Sequence, residues 1–398
     1  MARRVRLGVA GLGRAFTLML PTLSAHPGVE LVAAADPRGE ARDRFAADFN
    51  AKAYGSVEEL CADRAVEAVY VATPHQYHAP HAILAARSGK HLLVEKPMAL
   101  SIEEADSMVA AAREAGVRLV VGPSHSFDAP ILRARAIVQS GELGAVRMIT
   151  ALNFTDFLYR PRRPEELDTA AGGGVLFSQA AHQVDVVRLL GGGLGESVRA
   201  MTGAWDPRRA TEGAYSALLA FRGGAFASLT YSGYGHFDSD ELCGWIGETG
   251  ARKDPALYGA ARRALASLAA PEAEAAAKAA RNYGGAGYAK PGAEPAWHEH
   301  FGVVIVSCER GDVRPTPSSV IVQGDESQRT EALAKPAVPR AEVIDELREA
   351  VLENRATLHD GEWGLATLEV CIAMLRSARE SREVRLARQV APHGIIRA

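Results

Sequence analysis

The feature that most constrains this chain is a glycine-punctuated turn near its amino end, Gly8-Val-Ala-Gly11-Leu-Gly13-Arg14-Ala15-Phe16. It lies between a short apolar strand candidate, Val5–Ala10, and an apolar helical stretch, Phe16–Ser24. A strand feeding a helix through such a turn opens a βαβ unit. Gly11 permits the tight turn. Gly13 lets the backbone approach a pyrophosphate at the helix N-terminus, beside Arg14. The third position of the fingerprint is Phe16 instead of Gly or Ala, and a bulky side chain there forces a wider helix–strand contact. A second buried strand, Val29–Ala35, ends at Asp36. A carboxylate at that place accepts both ribose hydroxyls of a dinucleotide, which argues for NAD. Arg38 follows closely and could pair with a 2′-phosphate, so NADP is disfavoured without being excluded.

The rhythm that follows is strand, helix, strand. Gly39–Phe49 reads as a helix, Ala68–Ala72 as a strand, His81–Ser88 as a helix and His91–Val94 as a strand. Ile102–Ala115 opens after Ser101 with Glu104 in capping-box register, Gly116 closes it, and Val117–Val121 is one more strand. This alternation implies a doubly wound parallel sheet, an α/β Rossmann domain over residues 1–124. From Ser124 the pattern changes. After a helix at Pro130–Ser140 come longer strand candidates, Val146–Phe154, Val198–Thr202, Tyr215–Phe221 and Ala225–Tyr231, interrupted by a helix at Gln179–Leu190. Strands at Val303–Cys308 and Val320–Gln323 and helices at Arg340–Asn354 and Gly361–Arg379 complete an α+β domain over 125–398 with a mostly antiparallel sheet. Within it, 251–300 reads as an inserted helical excursion ending in a mobile loop.

Length and composition support two domains and limit the partners. The chain has 398 residues, 47% hydrophobic and 23% charged, ample for a core. A formal charge of −3 gives no global grip on nucleic acid or an anionic membrane. Cys61, Cys243, Cys308 and Cys371 are far apart and form no CxxC pair, which suits ordinary thiols in a reducing compartment. The amino end has no signal-peptide core, and no apolar stretch is long enough for a bilayer. A cytoplasmic protein is expected.

Two further segments follow parallel strands, at the edge where such sheets bind ligands: Thr73-Pro74-His75-Gln76-Tyr77-His78 and Glu95-Lys96-Pro97. Thr73, Pro74, His75, His78, Glu95, Lys96 and Pro97 are therefore candidates for the cofactor side. A lysine beside a nicotinamide can stabilise the alkoxide-like charge that develops as hydride leaves a carbinol.

Taken with the later segment Gly172-Gly-Gly-Val-Leu-Phe-Ser178-Gln-Ala-Ala-His182-Gln-Val-Asp185, these motifs resemble the Gfo/Idh/MocA family of NAD(P)-dependent oxidoreductases over essentially the whole chain. The resemblance implies a Rossmann domain followed by an open-faced sheet domain, with substrate between them and a homodimer or homotetramer formed through the second sheet. It also makes Lys96 and His182 the catalytic pair. Many relatives carry Asp where this chain has Ser178 and Gly where it has Ala180. Ser178 can hydrogen-bond substrate but adds no charge beside His182. Asp185, one helical turn after His182, either orients that imidazole or pairs with Arg188.

The substrate side reads as anionic. Tyr159-Arg160-Pro161-Arg162-Arg163-Pro164 sets Arg160, Arg162 and Arg163 in a proline-stiffened loop suited to carboxylate binding, unless Glu165, Glu166 and Asp168 neutralise it. His125 follows the last Rossmann strand and borders the expected cleft. The segments 301–317 and 360–371 resemble a narrower group, the bacterial phthalate 4,5-cis-dihydrodiol dehydrogenases, implying oxidation of a dicarboxylate dihydrodiol to 4,5-dihydroxyphthalate. A sugar or inositol dehydrogenase and a non-catalytic NAD-binding regulator are the alternatives. His298-Glu299-His300 forms one histidine cluster, and His75, His78 and His81 recur at every third position with no cysteine or carboxylate partner in register; no metal is expected.

Overall fold

The computed structural model describes residues 3–268, 270–288 and 297–393. The chain forms two compact units, each assembled from three stretches. The first comprises Met1–Pro123, Ala275–Glu294 and Val338–Leu365, and the second Ser124–Glu274, Pro295–Ala337 and Ala366–Ala398. The first sheet does end where the sequence rhythm changes. Residues 275–294 and 338–365 group with it, however, whereas the sequence reading assigned them to the second domain.

The first unit is a six-stranded parallel sheet of β1 (Val5–Ala10), β2 (Val29–Ala35), β3 (Lys52–Tyr54), β4 (Ala68–Val71), β5 (His91–Val94) and β6 (Leu119–Val121), in the order β3-β2-β1-β4-β5-β6. Helices α1 (Arg14–Ala25), α2 (Gly39–Phe49), α3 (Val57–Ala62), α4 (His78–Arg87) and α5 (Ile102–Glu114) connect the strands. Covered on both faces, such strands are apolar nearly throughout: Val5, Leu7 and Val9 of β1 are buried, each contributing about 1.5–3 kcal/mol of transfer free energy. The stretch from Val338 closes the β6 edge, where Val121 N–H donates to His359 O at 2.8 Å.

Two boundaries and one whole helix differ from expectation for local reasons. β6 starts at Leu119 because Val117 N–H bonds back to Ala112 O at 3.0 Å and finishes α5. α4 starts at His78, with Pro80 in its first turn, where a missing N–H costs nothing. α3, absent from the sequence reading, has a complete capping box of Ser56 and Glu59.

The second unit is a nine-stranded sheet of β7 (Val146–Phe154), β8 (Gly195–Gly203), β9 (Ala214–Phe221), β10 (Phe226–Ser232), β11 (Val303–Cys308), β12 (Gly311–Thr316), β13 (Ser319–Gly324), β14 (Gln328–Ala332) and β15 (Val384–Arg385). Their order is β14-β13-β12-β11-β7-β10-β9-β8-β15, antiparallel except for the parallel pair β7 and β10. Alternation sends Ile149, Ala151, Leu229, Leu219 and Val306 inward, toward α6 (Ala129–Gln139) and α7 (Ala181–Leu190). Met148, Met201, Leu218 and Phe226 stay exposed. The expected excursion contains helices Ala260–Ala266 and Pro271–Ala280, and most of the loop expected to be mobile, 289–296, lies outside the described residues. All four cysteines are free thiols. Among the described residues no helix is long and apolar enough to cross a membrane.

Candidate functional site

In the first unit the candidate residues gather at the carboxyl ends of β1, β2, β4 and β5. Gly11 has φ +93°, and a Cβ there would lie 2.8 Å from Ala72 O, so only glycine fits. Gly13 is the N-cap of α1, and a Cβ on it would meet nothing within 4 Å. No side chain caps this helix start and no acidic residue stands in its first turn. Uncapped amides facing open space suit a pyrophosphate, so the turn fits a dinucleotide. Arg14 is exposed at that end, donating to Thr17 Oγ1 at 3.3 Å.

Asp36 is buried and heavily engaged. Its Oδ2 accepts from Leu12 N at 2.8 Å and Arg38 Nη2 at 3.1 Å, and its Oδ1 from Arg38 N at 2.9 Å and Arg38 Nε at 3.0 Å. Arg38, the residue that could pair with a 2′-phosphate, has its guanidinium folded onto the carboxylate in a bidentate pair, with Nη2 also on Leu12 O at 2.9 Å. Phe16 is a core residue here, fully buried 6.0 Å from the Phe45 ring and 5.1 Å from that of Tyr283.

His78 is likewise no lining residue. Its ring is fully buried, with Nδ1 2.8 Å from Pro97 O and Nε2 2.8 Å from Thr73 O. It braces the Thr73–Pro74 turn against the Glu95-Lys96-Pro97 turn. Burial holds its pKa below the ordinary value, against the two carbonyls, which favour the charged ring. Glu95 is buried and accepts from Tyr70 OH at 2.5 Å; burial raises its pKa despite neighbouring Lys96. Lys96 is half-buried and precedes Pro97 through a cis peptide bond. His75 lies beside the His78 ring at 5.6 Å, and His81 Nδ1 meets Thr73 Oγ1 at 3.2 Å, so the three histidines do not converge.

In the second unit Gly174, at φ +78°, has no room for a side chain against Glu212 and Thr211. The chain then makes a π-helical turn, Leu176–Ala180, before α7. Such turns recur at functional sites. This one turns the Ser178 hydroxyl onto Gly174 O and presents His182 half-buried, with its ring 4.8 Å from that of His125 and 5.1 Å from that of Phe301. His125 Nδ1 meets Asp128 Oδ2 at 2.7 Å, and Phe301 stacks on Tyr231 at 5.9 Å. Asp185 is buried, accepting from Ser126 Oγ and, at 3.0 Å, from Thr367 Oγ1. Among the described residues His125, Asp128 and Glu299 are the group whose ligand-type atoms lie within 4.8 Å of one another.

The three arginines are not equivalent. Arg160 meets Asp156 at 3.0 Å and Glu248 at 3.7 Å. Burial opposes its charge, but those carboxylates outweigh it and hold the guanidinium above its ordinary pKa. Arg162 lies over the Phe157 ring at 3.5 Å and donates to Phe157 O at 2.8 Å; burial brings it down to about 10. Arg163 is paired with Glu165 and Glu166 at 3.2 and 3.4 Å. Asp168 Oδ1 accepts from Ala170 N–H at 2.9 Å. Phe301, Tyr231, Asp128 and Glu248 escaped sequence reasoning, because nothing in their local pattern separates them from core or turn residues. Burial opposes the Glu248 charge, yet Arg160 and then His125 keep its pKa low.

Residues 5–123 match an oxidoreductase family with an NAD-binding Rossmann fold, GFO_IDH_MocA, and residues 131–251 match the GFO/IDH/MocA C-terminal domain. A 1-carboxy-3-chloro-3,4-dihydroxycyclohexa-1,5-diene dehydrogenase of Comamonas testosteroni is 46% identical over 378 residues, 94% of this chain and 95% of that protein. A trans-1,2-dihydrobenzene-1,2-diol dehydrogenase of Mus musculus is 38% identical over 179 residues, 44% of this chain and 53% of that protein. A crystal structure from Bordetella bronchiseptica RB50, of a protein assigned as a dehydrogenase, superposes with a TM-score of 0.89 at 43% identity, covering 96% of this chain and all of the other.

Proposed function

The chain belongs to the Gfo/Idh/MocA family of NAD-binding oxidoreductases, and from that premise we propose that it oxidises a ring carbinol of a carboxylated cyclic dihydrodiol. The observation that carries this reading is the 46% identity, along nearly the whole chain, to a dehydrogenase named for a carboxylated cyclohexadiene diol. Its finer form is phthalate 4,5-cis-dihydrodiol going to 4,5-dihydroxyphthalate.

Bound at the glycine turn, NAD⁺ supplies the hydride acceptor. Asp36 takes the adenosine ribose, which favours NAD over NADP. The carbinol proton goes either to the His182 imidazole, which has the intrinsic pKa for this near neutrality, or to Lys96 Nζ as the free amine. Where His182 is the acceptor, the Lys96 ammonium stabilises negative charge on the carbinol oxygen. Arg160 is the arginine we assign to the substrate carboxylate. The resulting hydroxydienone tautomerises to an aromatic diol, which draws the reaction forward. Exposed Met148, Met201, Leu218 and Phe226 on one sheet face support a homo-oligomer through that face.

The test is NADH formation, followed by absorbance, with phthalate 4,5-cis-dihydrodiol, its chlorinated monocarboxylate counterpart, an uncarboxylated dihydrodiol and myo-inositol. Preference for the carboxylated diols supports the proposal. Equal or better turnover of myo-inositol replaces it with a polyol dehydrogenase, and NAD binding without turnover of any of them replaces it with a regulator.

A further inference from the structure

The stretch 281–288 belongs to the first unit but lies far from its other strands and helices in sequence, and nothing above accounts for it. Its anchor is Tyr283, whose side chain is fully buried. The ring meets Phe16 edge-on at 5.1 Å, and the hydroxyl donates to Asp48 Oδ2 at 2.6 Å, at the end of α2. Tyr288 packs against the same ring at 5.2 Å. Local bonds make the stretch compact, with Gly285 N–H on Asn282 O at 2.9 Å and Gly287 N–H on Ala280 O at 2.9 Å. The Tyr283 carbonyl then accepts from Arg38 Nη1 at 3.3 Å, while the same guanidinium grips Asp36.

We infer that Tyr283 is a specificity-determining positioning residue for the adenosine end of the cofactor. Two features of the chain meet in it. The aromatic ring at the third fingerprint position fills space that a glycine would leave to close packing, and Tyr283 completes that space. The carbonyl of Tyr283 then fixes the far side of Arg38, which holds the guanidinium on Asp36 and away from a 2′-phosphate. With the strap in place Arg38 is held from three sides, by Asp36, Leu12 O and Tyr283 O, and its charge is taken up by the carboxylate. With the strap loosened Nη1 loses its carbonyl, and that edge of the guanidinium becomes available to a phosphate.

The inference rests on the role proposed for Asp36 at the ribose, so the experiment includes that residue. Equilibrium binding of NAD, NADP and nicotinamide mononucleotide to the full chain is measured by calorimetry for the parent, Tyr283→Ala, Tyr283→Phe and Asp36→Ala. Tyr283→Ala is expected to weaken NAD about tenfold, the scale of one charge-assisted hydrogen bond, and to narrow the NAD-to-NADP ratio. Mononucleotide binding stays at the parent value, because that ligand has no adenosine end. Tyr283→Phe keeps the ring and loses only the hydroxyl contacts to Asp48 and Arg44 O, so it folds and shows a smaller change of the same sign. Parent-like NAD and NADP binding in both Tyr283 variants overturns the inference, as does equal loss of mononucleotide, which marks a general packing role. If Asp36→Ala loses NAD selectively while the Tyr283 variants do not, the ribose assignment stands and the strap alone fails.

Discussion

The two units hold their candidate chemistry in opposite ways. In the first, residues close in sequence are pinned by main-chain bonds at the ends of neighbouring parallel strands: His78 between two carbonyls, Asp36 among the Leu12 and Arg38 amides. In the second, a half-buried imidazole sits among rings gathered from distant segments, His125 and Phe301, with Tyr231 beyond. A scaffold of backbone bonds tolerates little change in loop length and yields a nearly invariant geometry. One of packed side chains can be re-cut for a new substrate without disturbing the strands.

The sharpest break in that comparison comes from the reacting groups. Lys96→Met is expected to lower turnover roughly a hundred- to ten-thousand-fold while calorimetric NAD affinity is kept. Equal loss of both would make Lys96 part of the first unit's scaffold. Next in size is His78→Ala, which removes the ring packed between two turns and leaves a carbonyl without its N–H donor, and should cost about 2–4 kcal/mol in urea unfolding. A change under about 0.5 kcal/mol would deny His78 its bracing role.

In the second unit the arginines should separate. Arg160→Gln is expected to raise KM for a carboxylated diol about tenfold. Arg163→Gln should leave KM unchanged, because Glu165 and Glu166 neutralise it within its own turn, whereas Arg160 is linked through Glu248 to the His125 cluster. A reversed order would reassign the carboxylate site.

The smallest effect is one of pH. Burial holds the pKa values of His78, His81 and His91 below the ordinary histidine value. The unfolded chain then binds protons that the folded first unit refuses, so stability is full above pH about 6.5 and declines as pH falls below it. Urea midpoints rising as pH is lowered from 7 to 5 would contradict this. In His78→Asn the slope should be shallower.

The same contrast explains what was legible in sequence. The βαβ turn, Asp36 and five of the six parallel strands are written locally, in glycine spacing and apolar runs. β3 was missed because it has only three residues, Lys52–Tyr54, and β14 because its sequence, Gln-Arg-Thr-Glu-Ala, carries no alternation. Pro315 hid β12, though it pairs opposite Val320. The π-helical turn before His182 and the bidentate clasp of Arg38 on Asp36 are outcomes of packing and have no one-dimensional signature. Phe16 was visible as a departure from the fingerprint. Its physical reason, an aromatic ring supplied by Tyr283, lies hundreds of positions downstream and could be found only in three dimensions.

That the first unit is assembled from three stretches has a consequence for its biogenesis. Domains usually fold as they leave the ribosome, amino end first. Here the parallel sheet is synthesised early, yet its β6 border receives the His359 carbonyl, and the ring of Phe16 its Tyr283 neighbour, only after most of the polypeptide has been made. Truncation after residue 123 would therefore yield an unfinished nucleotide-binding module with a bare strand edge. Anyone dissecting this enzyme into parts should cut elsewhere, or rejoin the late stretches by circular permutation.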